Sequence, residues 1–506
     1  MKIQKIENLI NNLKKKNIIK KDIVLCHGVF DILHLGHTKY LNFAKNFNNK
    51  KNFLIVSVTA DKFIEKGLGR PYFNERIRME MLSNLEVVDA VVLSNNFSAE
   101  SIIKKIKPNY YFKGQDYKDN SKDKSGRIYK EKNEVEKHGG KIVYSNEITF
   151  SSSKILNASD MIFNENQKKI INKLKKRFNY NQIIKLLLKL NKLRITILGE
   201  IIFDEYIFGD IIGKSGKEPH LVLKEKQTEC YIGGSAAVAR HLSSFVKKIN
   251  LISFLGNEAK YLNILKKGFS KKVSIHTFKP FKSFDSIVKK RFIDQNSNYK
   301  LFGSYIIPNK NIKYSDKIIS SKLEYLKKKT DILIITDYGH GLISKKISSR
   351  INKKFKFVSL NAQLNAANAG THTIRNYKGM DLIIINEAEL RNEEKDDTTG
   401  IENLAKKFFK YKKCKNLVIT RGKEGAILID KKNLIKCPAF AKKSVDKLGS
   451  GDAMLSVISM CLKNNLDKEL SLFLGSIAGA YSVETIGNKN AISFSKIDKF
   501  LDYAFK

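Results

Sequence analysis

Short apolar runs recur along this 506-residue chain at helix-length intervals, and that rhythm limits the fold more than any other feature. Residues 23–26, 54–58, 87–93 and 141–144 read as strands separated by amphipathic stretches. So do residues 194–198, 251–255, 332–336, 357–360, 382–385, 417–420 and 426–429. Parallel strands need crossovers of a dozen residues or more, usually helical, so each series predicts a parallel sheet covered by helices. Between the two series the chain becomes Lys-rich with apolar residues at helical spacing and no strand signal. No internal repeat relates them. The expected fold class is α/β, with two different domains in tandem at 1–160 and 194–506 and a helical Lys-rich connector at 161–193.

Charge narrows the partners less than its size suggests. Lys and Arg total 94 against 50 Asp and Glu, a net +44, which raises nucleic acid or an anionic membrane as a partner. Only 12 of the basic residues are Arg, however, and the lysines are spread among Asn and Ile from end to end. Base and phosphate readout favours the bidentate guanidinium, so the excess reads as solvated surface, and no specific nucleic acid is expected. The five cysteines, Cys26, Cys230, Cys414, Cys437 and Cys461, lie far apart without zinc-ligand spacing. Neither an apolar leader core nor a run of about 18 apolar residues is present. The expectation is a cytoplasmic protein without membrane insertion or a structural metal, its homo-oligomeric state left open.

The most informative segment runs from Cys26 to His37, Cys-His-Gly-Val-Phe-Asp-Ile-Leu-His-Leu-Gly-His. A strand ends at Cys26, Gly28 permits a tight turn, and His34 and His37 stand one helical turn apart where a helix begins. The amides of a helix start bind phosphate, and Gly36 lets a nucleotide approach closely. Here the sequence resembles the cytidylyltransferase-like nucleotidyltransferases, whose hallmark is His-x-Gly-His. Gly69-Arg-Pro71 with Glu75-Arg76 resembles the segment after their second strand, and Lys113-Gly-Gln-Asp116-Tyr117 is similar to Lys-Gly-Gly-Asp-Tyr of the bacterial heptose 1-phosphate adenylyltransferases. Ser151-Ser152-Ser153-Lys-Ile155 resembles their Ser-Thr-Thr-x-Ile. The resemblance implies a Rossmann-like domain in which His34, His37 and Lys113 stabilise charge at the reacting phosphate. Gly28, Phe30, Asp31, Gly36, Arg76 and Ser151–Ser153 would hold the nucleotide, Asp116 the sugar phosphate, and Mg²⁺ would arrive with the NTP. Cys26-His27 replaces the Thr-Asn usual in the heptose branch, which leaves ATP or CTP open.

The second series carries a different signal. Gly209-Asp-Ile-Ile-Gly213-Lys-Ser215 has three residues between its glycines where a P-loop needs four, and is rejected as a phosphate cradle. Asp446-Lys-Leu-Gly449-Ser450-Gly451-Asp452 precedes an apolar helix-like run, so its glycines would form an anion hole and its last Asp could take a proton from an attacking hydroxyl. This resembles the Asp-x-x-Gly-Ala-Gly-Asp signature of the ribokinase-like sugar kinases. Gly233-Gly234 and Gly199-Glu-Ile-Ile-Phe-Asp204 resemble their N-terminal signatures, Lys289-x-Arg291 a sugar-side strand, Asn386-x-x-Glu389 the motif organising Mg²⁺ and phosphate, and Thr420-Arg-Gly422 the ATP-side turn. The resemblance implies Asp452 as base, Gly449, Ser450, Gly451, Asn386, Glu389, Thr420 and Gly422 around nucleotide, and Asp204, Gly233, Gly234, Lys289 and Arg291 around sugar. Ala237 falls where the heptose kinases carry a sugar-contacting Asn, so the acceptor is less defined than the chemistry.

Together the halves resemble the fused heptose 7-phosphate kinase and heptose 1-phosphate adenylyltransferase in reverse order. The expected function is synthesis of a nucleotide-activated sugar from ATP or CTP and sugar phosphates. Two alternatives stay open: a cytidylyltransferase for a polyol or other sugar phosphate joined to a kinase of different specificity, and the same transferase joined to a non-catalytic regulatory module.

Overall fold

The computed structural model describes residues 2–15, 21–64, 67–115, 127–145, 163–278, 284–297, 299–307, 315–349, 351, 355–368, 372–442 and 444–505. The chain divides into two compact units, Met1–Asn164 and Glu165–Lys506.

In the first unit β1 (Ile23–Gly28), β2 (Phe53–Thr59), β3 (Ala90–Ser94), β4 (Tyr110–Gly114) and β5 (Lys141–Ser145) form one parallel sheet in the order β3-β2-β1-β4-β5. Successive side chains alternate between its faces. Val24, Cys26, Leu54 and Val56 pack with Leu41 and Leu82 on one side, while Leu25, Ile55 and Val92 pack with Ile102, Ile103 and Val135 on the other. Burial on both faces is why these strands read as continuous apolar runs rather than alternating ones. The run 87–93 becomes strand only from Ala90, because the Val88 amide closes a turn onto the Leu85 carbonyl at 3.2 Å. Strand order reverses between β1 and β4, and the crevice beyond the carboxyl ends of such a pair is where open α/β sheets bind ligands.

The second unit holds two sheets. β6 (Arg194–Gly199), β9 (Lys248–Phe254), β10 (Val273–Phe278), β13 (Ile332–Asp337), β14 (Val358–Ala362), β15 (Leu382–Asn386), β16 (Asn416–Thr420), β17 (Ala426–Ile429) and β18 (Leu434–Cys437) form a nine-stranded sheet ordered β10-β9-β6-β13-β14-β15-β16-β17-β18. It is parallel from β10 to β16 and antiparallel in its last two pairs. Its order reverses between β6 and β13. A four-stranded sheet, β12-β11-β7-β8, is built from β7 (Ile201–Lys214), β8 (Leu221–Gly234), β11 (Ile287–Asp294) and β12 (Lys300–Ile306). The rejected Gly209–Ser215 segment lies largely within β7, an extended strand rather than a phosphate loop.

Residues expected as a separate connector belong, from Glu165 onward, to this second unit. The helices Glu165–Lys175 and Tyr180–Lys189 bury Ile170, Ile171, Leu174, Ile183 and Leu187. Lys173 and Arg177 each reach Glu469 at 2.7 Å, the Gln167 amide donates to the Ala439 carbonyl, and the Tyr180 hydroxyl donates to Asp498. The amphipathic spacing that made this stretch read as a linker helix is thus the imprint of a docking face. A chain shortened to 194–506 is expected to melt well below one of 165–506 in thermal denaturation, since deleting five buried aliphatic side chains exposes the apolar surface they cover. Equal melting temperatures would make the two helices a mere linker.

Candidate functional site

Both reversal points carry chemistry-bearing residues. In the first unit His34 caps the helix Leu35–Lys45 from extended backbone (φ −146°, ψ 170°), and the first-turn amides lie before intrahelical bonding begins. The His34 and His37 rings stack with centroids 3.9 Å apart, and Phe30 lies 5.4 Å from His37. Phe30 sits in the left-handed region (φ 50°), and its ring lies where a Cβ on Gly28 would stand 3.2 Å away. Gly36 is buried in the first turn. Burial lowers the His34 pKa, favouring its neutral form, and a backbone hydrogen bond opposes it.

Asp31 and two arginines order the loops around this helix start. Asp31 is buried and accepts from Arg70 Nε at 2.6 Å, the Tyr72 amide at 2.7 Å and the Phe73 amide at 3.1 Å, so its carboxylate positions this segment. Arg76 is exposed on the helix Glu75–Ser83, whereas Arg78 is wholly buried. Arg78 donates to the carbonyls of Val29, Thr59 and Phe73 and pairs with Asp61 at 2.6 Å, tying the loops after β1 and β2 together. Two residues apart, Arg76 and Arg78 lie on opposite faces of the helix, one towards solvent and one towards the sheet.

Lys113 ends β4 beside β1, its Nζ 3.0 Å from Glu131 Oε2. Glu131 also accepts from the Ala99 amide and the Tyr111 hydroxyl, each at 2.8 Å. Burial pushes the Glu131 carboxyl up, but Lys113, His27 and the Ala99 amide outweigh it and hold the carboxyl below its ordinary range. Burial, then Lys113, takes His27 down to about 4, leaving a neutral imidazole 3.1 Å from Ser57 Oγ and 3.4 Å from Thr59 Oγ1. Glu131 and His27 are functional-site residues that the motif reading did not assign. Asp116, Ser151, Ser152 and Ser153 lie outside the described residues.

In the second unit Gly449, at φ 82°, caps the helix Ser450–Lys463; a Cβ there would stand 2.1 Å from Asn488 Oδ1. Asp446 shapes this loop, accepting from the Leu448 and Gly487 amides, the Tyr206 hydroxyl at 2.7 Å and Lys300 at 2.8 Å. The Ser450, Gly451 and Asp452 amides therefore open the helix as an anion site, with the Asp452 side chain buried at its mouth. Burial pushes the Asp452 carboxyl up to about 7, Tyr338 opposes, Asp204 raises it further and Lys289 opposes.

The sugar-side residues come together. Arg291 Nη1 meets Asp204 Oδ1 at 2.6 Å, and a Cβ on Gly233 would lie 2.2 Å from Asp204 Oδ2, so this glycine makes room for the carboxylate. Gly234, at φ 59°, starts the helix Ser235–Leu242, within which Ala237 is buried. Lys289 is buried, which lowers its pKa against the pull of Asp204.

Asn386 and Glu389 cap the helix Glu387–Glu394 reciprocally: the Glu389 amide donates to Asn386 Oδ1 at 2.7 Å and the Asn386 amide to Glu389 Oε2 at 2.9 Å. Burial lifts Glu389 to about 7, the Asn386 and Leu364 amides oppose it, and Asp452 adds to the rise. Thr420 pairs with Asn386 across β15 and β16, and Gly422, at φ 55°, opens the following turn. The side-chain oxygens of Asn386 and Glu389 are hard donors of the kind Mg²⁺ takes.

Residues 25–158 match the cytidylyltransferase-like family and residues 321–494 the pfkB family of carbohydrate kinases. The first unit therefore carries a cytidylyltransferase-like nucleotidyltransferase domain and the second a pfkB-type carbohydrate kinase domain. The chain is 25% identical over 307 residues to the "Bifunctional protein HldE" of Campylobacter fetus, covering 59% of this chain and 64% of that protein. A similarly named protein of Aliarcobacter butzleri is 39% identical over 117 residues, 23% of each chain. Phosphofructokinase-2 from Escherichia coli, solved with potassium, covers 62% of this chain and all of its own at 19% identity and a TM-score of 0.49. Among the described residues no helix is long and apolar enough to cross a membrane.

The raised Asp452 pKa has a consequence for stability. Aspartate in an unfolded chain titrates near about 3.9, so folding takes up a proton between that value and about 7. The contribution is fully present below the unfolded value and lost as pH rises through the folded one. Asp452→Asn is therefore expected to melt above the wild type at pH 8, with the gap closing towards pH 4. A gap that does not vary with pH would show that burial does not set this carboxyl.

Proposed function

We propose that the chain is a bifunctional enzyme making a nucleotide-activated sugar, ADP-heptose-like. Its C-terminal half phosphorylates a sugar phosphate with ATP, and its N-terminal half transfers a nucleotidyl group from an NTP to a sugar 1-phosphate, releasing pyrophosphate. The observation that carries this reading is a pair of helix starts, each at the carboxyl edge of a parallel sheet, where free amides suit phosphate. One stands beside stacked imidazoles, the other beside a buried carboxylate poised near neutrality. The names of the HldE relatives fit both halves.

In the kinase half, Asp204 and Arg291 bind the sugar, and Asp452 accepts the proton of the hydroxyl that attacks the γ-phosphorus. The Gly449–Asp452 amides and Lys289 stabilise the negative charge. Asn386 and Glu389 would hold Mg²⁺ with the nucleotide, and Mg²⁺ draws charge from the phosphate oxygens. In the transferase half the sugar-phosphate oxygen attacks the α-phosphorus without a covalent enzyme intermediate. His34 and His37 donate to the phosphate oxygens, and Lys113, oriented by Glu131, supplies the positive charge. The intact Asp452 set favours a catalytic kinase over a regulatory module.

Purified protein given a panel of NTPs and sugar phosphates, with ADP and pyrophosphate read separately, tests this. His34→Ala or His37→Ala is expected to cut pyrophosphate release by at least about 10²-fold and leave ADP formation intact. Asp452→Asn is expected to do the reverse, lowering sugar phosphorylation by roughly 10² to 10⁴-fold. Loss of both activities from either change, or neither activity in the wild type, would contradict the reading.

A further inference from the structure

The second unit's strand order reverses between β6 and β13, and the residue just past β13 reaches the proposed base. Tyr338 is 3% exposed, and its hydroxyl donates to Asp452 Oδ1 at 3.0 Å. Its backbone is clamped on both sides. The N–H donates to Glu200 Oε2 at 3.0 Å, and the carbonyl accepts from Asn365 Nδ2 and Asn368 Nδ2, each at 2.8 Å. Glu200, the first residue past β6, also takes the His340 and Leu342 amides at 3.2 and 3.4 Å. Gly339 turns at φ 70°, where a Cβ would stand 2.5 Å from Asn368 Nδ2. Three side chains thus fix the main chain around one phenol.

A buried phenol needs a partner, but any backbone carbonyl would serve. This one is given to a carboxylate at the mouth of the anion hole. We infer that Tyr338 is a positioning residue for phosphoryl transfer: its hydroxyl, set by the Glu200 clamp, holds Asp452 Oδ1 and leaves Oδ2 to take the proton from the acceptor. This rests on the reading of Asp452 as the kinase base.

The groups facing Asp452 fix the sign of the effect. Tyr338 reaches it from the turn after β13, Asp204 from β7, Lys289 from β11 and Glu389 from the helix Glu387–Glu394. A donor to the carboxylate favours its charged form, so removing the hydroxyl leaves burial, Asp204 and Glu389 opposed by Lys289 alone.

The test uses the full chain and Tyr338→Phe, which keeps the ring and its packing. In sugar-phosphate-dependent ADP formation, the acid limb of kcat is expected to move up by about one pH unit, the worth of one charge-assisted hydrogen bond. That lowers kcat about fivefold at pH 7 and little at pH 9, with KM for both substrates unchanged. A uniform loss at every pH with an unmoved limb overturns the assignment, since that is what loosened packing alone would give. A second measurement needs no substrate: carboxyl ¹³C NMR titration of Asp-labelled protein, with the Asp452 signal identified by its absence in Asp452→Asn. An Asp452 midpoint that rises in Tyr338→Phe supports the coupling. An unchanged midpoint overturns it whatever the kinetics show. Wild-type protein that forms no ADP with any sugar phosphate overturns the kinase reading itself, and the assignment with it.

Discussion

The backbone amides that open a helix have no partner inside it, and both proposed sites of this chain are arranged around such amides. A parallel sheet sends each crossover helix back against the strands, so helix starts gather at the carboxyl edge, where strand order reverses. In the first unit the start at Leu35 follows β1 and carries His34 and His37; in the second the start at Ser450 follows a left-handed Gly449. The glycine is demanded by geometry, since any Cβ would strike Asn488. The fold therefore supplies the anion sites through main chain, and the sequence has only to place proton-handling side chains beside them.

The carboxylates buried around the second site sort by partner. Asp204 and Asp446 each meet a cation, Arg291 and Lys300, and they shape the sugar side and the glycine loop. Glu200, Glu389 and Asp452 are held by amides and a hydroxyl, and burial lifts each to about 7, Asp337 adding to the rise at Glu200. Amide and hydroxyl donors favour a buried carboxylate's charged form less strongly than a neighbouring cation does. The first group is tied by ion pairs, and the second remains able to exchange a proton or meet a metal ion at neutral pH. Such a site lowers stability locally, and the apolar sheet beneath it offsets the loss.

The central strands were legible because both their faces are buried: the runs at 194–198, 332–336 and 382–385 needed nothing but apolar length. β4 was not. Tyr110-Tyr-Phe-Lys is short and aromatic, and its lysine points into a buried pair with Glu131, which no local pattern announces. The four-stranded sheet was missed for a different reason. The outer half of β7 and much of β8 are exposed, so they lack the burial that writes a pattern into sequence. Of the site, glycine spacings and the Asn386-x-x-Glu389 box were readable because they report local backbone geometry. The roles of Arg78, Glu200 and Tyr338 were not, since each acts on a residue brought near only by the sheet. The turn Asp337-Tyr-Gly-His-Gly341 did offer a signal, two glycines and an acid directly after a strand.

The claim that two helix starts are separate phosphate sites is tested most directly by a crystal structure of the full chain grown with Mg²⁺ and a non-hydrolysable ATP analogue. The expected result is a triphosphate on the Ser450–Asp452 amides with its γ-phosphorus facing Asp452, and a second nucleotide with its phosphates against His34, His37 and the Leu35–Gly36 amides. Phosphates bound away from both helix starts would contradict it.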